Sequence, residues 1–83
     1  MNYRILISKG VKKQILKLPE GIRERILLSF QALSHNPRLS GSKKLRGRIG
    51  YRIRIGDYRI VYDIDDEQRD ITLMKVGHRK EFY

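Results

Sequence analysis

Tyr51-Arg52-Ile53-Arg54-Ile55-Gly56-Asp57-Tyr58-Arg59-Ile60-Val61-Tyr62 reads as a β-hairpin whose two faces differ in character. Gly56-Asp57 is a two-residue connection of the kind that closes a tight hairpin. That turn sets Ile55 opposite Tyr58, Arg54 opposite Arg59, Ile53 opposite Ile60 and Tyr51 opposite Tyr62. Side chains alternate along a strand, so Tyr51, Ile53, Ile55, Tyr58, Ile60 and Tyr62 share one face, which serves as a core wall. Arg52, Arg54 and Arg59 project from the other. Like charges directly opposite each other destabilise a sheet by roughly 0.2–1 kcal/mol per pair. The Arg54/Arg59 pairing makes physical sense where a polyanion normally sits over it.

Upstream of the hairpin, Tyr3–Ile7 has strand composition, and Ser8 can cap a helix from about Lys9 to Leu18. Val11, Ile15 and Leu18 recur on one face of that helix. Pro19 ends it. A second helix is expected from about Glu20 to His35, with Ile22, Ile26, Phe30 and Leu33 as its apolar stripe and acids in its first turns, as the helix dipole favours. Two amphipathic helices joined by so short a corner form an αα-hairpin. Asn36-Pro37 stops the second helix, and Arg38–Lys43 is a polar loop. Leu45–Ile55 reads as an extended segment bent at Gly47 and Gly50. Downstream, an acidic turn leads into a strand from about Ile71 to Val76, with Ile71, Leu73 and Lys75 on one side and Thr72, Met74 and Val76 on the other. The order strand–helix–helix–three strands predicts a single α+β domain spanning 1–83, with an antiparallel sheet and the N-terminal αα-hairpin packed on one face.

The charge is strongly positive, +10 from 19 Lys+Arg against 9 Asp+Glu. It is also segregated. Arg38, Lys43, Lys44, Arg46, Arg48, Arg52, Arg54 and Arg59 stand against one acid, Asp57, while Asp63, Asp65, Asp66, Glu67 and Asp70 gather around a single Arg69. Such a basic block attracts nucleic acid, an anionic membrane or an acidic protein. A merely solvated basic face accounts for the charge alone equally well. The absence of cysteine excludes a disulfide frame and fits a reducing cytoplasm, and no apolar run suits a signal peptide or a membrane span.

Most catalytic constellations are missing. There is no phosphate-binding glycine loop and no dinucleotide fingerprint. His35 reads as a surface residue at a helix end. His78 and Glu81 are too few for a metal site, so neither metal nor cofactor is expected. The carboxylates cluster in one turn, which excludes paired-carboxylate chemistry. What remains is cationic: arginines on a sheet face, then His78-Arg79-Lys80 and the terminal Tyr83. Arginine grips phosphate through a planar fork and stays charged. RNA carries its own nucleophile in the 2′-OH, so an RNA-cleaving protein need supply neither nucleophile nor metal. Tyr83 could stack on a base, take part in proton transfer or anchor the chain end. The residues by themselves point first to a basic nucleic-acid-binding module, then to a nuclease.

Three motifs in order, Lys44-Leu45-Arg46-Gly47, the hairpin Tyr51–Tyr62, and Val76-Gly77-His78-Arg79, resemble the consecutive signatures of RelE-type toxins of bacterial toxin–antitoxin pairs. The resemblance covers essentially the whole chain. It implies a ribosome-dependent, metal-independent messenger-RNA interferase that cleaves the codon in the ribosomal A site, in the cytoplasm. It implies a cognate antitoxin with an amphipathic helical segment, and a toxin–antitoxin complex that binds operator DNA through the antitoxin. Carried over by motif, the catalytic positions are Arg52, Arg54, Arg59, Arg79 and Tyr83, with His78 as a candidate proton donor or acceptor. Lys43, Lys44, Arg46 and Arg48 would bind RNA. Several relatives have lysine where this chain has Arg52 and Arg54; arginine neutralises phosphate rather than abstracting a proton. Another scheme in the family, with a glutamate and a C-terminal histidine, does not transfer. The competing reading is a ParE-type toxin of the same fold that poisons DNA gyrase.

Overall fold

The computed structural model describes residues 2–38, 41–45 and 50–82. Strand β1 (Arg4–Ile7) leads into helices α1 (Lys9–Leu16) and α2 (Glu20–His35). Strands β2 (Lys43–Lys44), β3 (Tyr51–Ile55), β4 (Tyr58–Asp65) and β5 (Asp70–His78) follow, and a 3-10 turn, Arg79–Phe82, ends the described chain. The architecture is α+β, with the helix pair packed on one face of a five-stranded sheet.

Local chemistry sets the helix ends. The Ser8 hydroxyl accepts from the Val11 N–H at 3.1 Å, satisfying one of the donors that a helix start leaves open. Past α1, the Leu18 N–H closes a tighter turn onto the Ile15 carbonyl (3.1 Å), and Pro19 then opens α2. At the far end the Asn36 N–H reaches the Ala32 carbonyl (2.9 Å), and Pro37 cannot extend the ladder. The Tyr3 N–H donates to the Ser34 carbonyl and the Ser34 hydroxyl donates to the Tyr3 carbonyl. This reciprocal pair ties the entry to β1 onto the last turn of α2.

The strand order is β1-β5-β4-β3-β2. The β3–β4 hairpin has the expected register, from Tyr51↔Tyr62 to Ile55↔Tyr58. Gly56 takes φ 59° at the first turn position, where glycine relieves the clash a side chain would meet. Val11 and Ile15 of α1, with Ile26, Phe30 and Leu33 of α2, pack on Ile55, Ile60, Tyr62, Ile71, Leu73 and Val76. The Tyr62 side chain is fully buried, yet its hydroxyl donates to the Pro37 carbonyl at 2.8 Å, so the burial leaves no polar atom unsatisfied.

Three features depart from the expected layout. First, β1 pairs with β5 in parallel, so the sheet is mixed rather than wholly antiparallel. Hairpin-joined neighbours must run antiparallel, but β1 has no hairpin to β5, and its direction follows from the helix pair that leaves it. Second, the segment before the hairpin is not one bent strand. Lys43–Lys44 forms its own strand antiparallel to β3, with Lys43↔Arg52 and Lys44↔Tyr51, and the Leu45 N–H bonds the Gly50 carbonyl at 3.0 Å. Gly50 permits this reversal: its φ is 127°, and a Cβ there would meet the Tyr62 carbonyl oxygen at 3.0 Å. Third, the β4–β5 ladder slips at Val61/Tyr62, where Val61 pairs with Lys75 and Tyr62 with Leu73. Met74 is the extra residue of a β-bulge. Beyond it the alternation inverts, so Val76 joins Ile71 and Leu73 in the core while Lys75 turns to the other face.

A cationic cleft on the open sheet face

The face of the sheet away from the helices carries two cross-strand rows. One runs Lys43↔Arg52↔Val61↔Lys75 across β2, β3, β4 and β5; the next runs Arg54↔Arg59↔Gly77. Alternation along β3 and β4 sends these side chains to one side because Ile53, Ile55, Ile60 and Tyr62 occupy the other. Gly77 contributes no side chain to its row. Lys43, Arg52, Arg54 and Arg59, with Gly41 and Ile53, line a cleft of about 90 Å³. Pockets for drug-sized ligands run to roughly 300–1,000 Å³, so this one suits a single phosphate-sized anion. A second hollow, lined by Lys43, Lys44, Leu45 and Arg52, adjoins it. Cations gathered in this way attract a polyanion at long range and grip its oxygens at short range.

The acidic turn does not neutralise this face. It lies at the other end of β4 from the hairpin turn and is engaged locally. The Arg38 guanidinium donates to both Asp66 carboxylate oxygens (3.2 and 2.9 Å), and the Tyr3 hydroxyl donates to the same group at 2.7 Å. Arg4 grips Asp70 in the same forked manner (2.8 and 3.1 Å). Arg38, counted in sequence with the basic block, therefore belongs electrostatically to the acidic end.

The hydrogen bonds from Arg38 and Tyr3 hold the Asp66 carboxyl at about 2, well below its ordinary 3.8. A carboxylate with a depressed folded pKa contributes stability that is present above 3.8 and is lost as pH falls through about 2. Asp66→Asn and the parent protein should accordingly differ in thermal midpoint at neutral pH and converge below about 2. Because the group is exposed, solvent and salt keep that difference small.

The other expected site residues separate. Arg79 starts the closing 3-10 turn, and its N–H donates to the Asp57 carbonyl at 2.7 Å, which pins its backbone to the hairpin turn at the Arg54/Arg59 end. His78 pairs with Tyr58, not with an arginine; the rings meet edge to face at 5.2 Å. Both lie on the helix side, in a 350 Å³ hollow shared with Gln14, Lys17, Leu18 and Pro19. The sheet thus stands between His78 and the cleft. Arg46, Arg48 and Tyr83 lie outside the described residues. Two lysines gain importance. Lys43 enters the cleft itself, through a strand pairing that no sequence pattern announced. Lys75 reaches the open face through the bulge at Met74. Among the described residues, no three of His, Cys, Asp and Glu come together as metal ligands, and no helix is long and apolar enough to cross a membrane.

Comparison with known proteins agrees with this fold. The family model described as "ParE toxin of type II toxin-antitoxin system, parDE" matches residues 5–83. Toxin RelG of Mycobacterium tuberculosis is 31% identical, over 100% of this chain and 98% of its own length. The toxin–antitoxin complex RelBE2 of the same organism contains a chain that superposes with a TM-score of 0.83 at 30% identity, over 95% of this chain and 100% of that one. A mutant of Escherichia coli toxin RelE in the free state gives 0.82 at 27% identity, over 98% and 87%.

Proposed function

The chain belongs to the RelE/ParE superfamily of type II toxins, and on that premise we propose that it is a RelE-type endoribonuclease cutting messenger RNA in the ribosomal A site. The observation that carries the proposal is the phosphate-sized cleft between Arg52, Arg54, Arg59 and Lys43. In cleavage by the 2′-OH, negative charge grows on the oxygens of the scissile phosphate. Fixed guanidiniums aimed at those oxygens stabilise the transition state more than the ground state. Arg79, held at the hairpin-turn end, would close the group from that side. Tyr83 would stack on a base or assist proton transfer, while Lys44, Arg46 and Arg48 would hold flanking phosphates. No metal or cofactor is required, because substrate supplies the nucleophile.

Inhibition would come from a cognate antitoxin, by analogy with the RelBE2 complex. An amphipathic helical segment bearing acids suits the basic face, and the resulting complex would bind operator DNA through the antitoxin. The ribosome and its message place this activity in the cytoplasm. The matched family model bears the ParE name, which keeps a gyrase-directed toxin as the second reading. Primer extension on messages after induction separates the two. Breaks inside translated codons support the nuclease; supercoiling changes without such breaks support the gyrase poison.

A further inference from the structure

Among the described residues, three guanidiniums and one amine line the cleft. Guanidinium stays protonated under all conditions in which the protein folds, so Arg52, Arg54 and Arg59 can neutralise phosphate oxygens but cannot accept a proton. Gly41 and Ile53, the other lining residues, carry no titratable group. The other candidates among the described residues lie elsewhere. His78 is on the helix side of the sheet against Tyr58. Asp63 is further along β4, with its carboxylate accepting from the Ile64 N–H at 2.9 Å. Lys75 stands two strands from Arg52 and does not line the cleft. Lys43 is directly opposite Arg52, on an exposed two-residue strand.

We propose that Lys43, in its neutral form, is the proton acceptor for the 2′-OH; this rests on the RNA-cleaving reading above. The O2′–H bond breaks and its proton passes to Lys43 Nζ. The freed oxygen pair forms the O2′–P bond, and the P–O5′ bond breaks with its electron pair leaving on O5′. That oxygen takes a proton from water, and the Lys43 ammonium returns its own to the hydroxide so formed. The products are a 2′,3′-cyclic phosphate and a 5′-hydroxyl end, with nothing oxidised or reduced. Among the described residues, the charged groups that line the cleft with Lys43 are Arg52 and Arg54 of β3 and Arg59 of β4. Lys44, on its own strand, pairs with Tyr51.

Lys43→Arg separates charge from proton transfer, since it keeps the cation and removes the titrating amine. Single-turnover cleavage of A-site message is measured for parent, Lys43→Arg and Lys43→Ala from about pH 6 to about pH 9. The parent rate should rise with pH. Lys43→Arg should be slower by on the order of 10²-fold or more and lose that rise, with RNA affinity kept within a few-fold. Added ethylamine should restore part of the rate to Lys43→Ala and none to Lys43→Arg. Unchanged thermal midpoints are expected, because the side chain is exposed. Parental rate and pH dependence in Lys43→Arg would overturn the assignment and leave the nuclease reading standing. A parent protein that cuts no message at any pH would overturn both.

Discussion

Arg54→Gln should abolish most of the activity and, at the same time, raise stability. Arg54 is exposed and sits directly opposite Arg59 in the β3–β4 ladder. Removing one of two opposed like charges relieves roughly 0.2–1 kcal/mol of repulsion. For a domain of this size that corresponds to a rise in thermal midpoint of about 1–8 °C. Glutamine keeps much of the stem and its packing, so little is lost in exchange. Cleavage, by contrast, should fall by about 10²–10³-fold, the usual cost of removing one preorganised group that stabilises transition-state charge. Opposite signs in the two measurements mark a side chain retained for its ligand at the expense of the fold. A fall in midpoint together with full activity would mean that Arg54 serves the sheet instead.

Ile60→Ala should do the reverse. Ile60 follows Arg59 in sequence but points to the other face, where it is fully buried between Ile53 and Val76 across the sheet. Truncation leaves a cavity that the helices cannot fill without moving, at about 2–5 kcal/mol. A domain of this length has on the order of 4–12 kcal/mol in total. Denaturant unfolding should therefore show a large loss in midpoint with little change in slope. The fraction that remains folded should cleave at the parental rate, because the cleft is on the other side of β4.

The contrast between Arg54 and Ile60 shows why so much was legible. A strict period of two, closed by Gly56-Asp57, fixed the register of the hairpin and hence which residues faced the helices and which gathered as cations. Ser8, Pro19 and Asn36-Pro37 marked the helix ends through local chemistry. What sequence could not reveal came from pairing between distant segments. The bulge at Met74 leaves no composition signal, yet one inserted residue inverts the rest of β5. It carries Val76 into the core, Lys75 onto the open face and His78 away from the arginines. The parallel docking of β1 on β5 likewise depends on how the helix pair returns over the sheet. Lys43 lay in an apparent loop before Gly50, and only its pairing with Arg52 brings an amine to the guanidiniums. Arg38 stands with the basic block in sequence, but in the fold it is held by Asp66.

The most direct test of the account is cleavage on ribosomes stalled with a defined codon in the A site, using the purified protein and Arg54→Gln in parallel. A break within that codon is expected, dependent on the ribosome and lost with Arg54→Gln. An intact message under the same conditions, with inhibition of gyrase supercoiling by the same preparation, would contradict it.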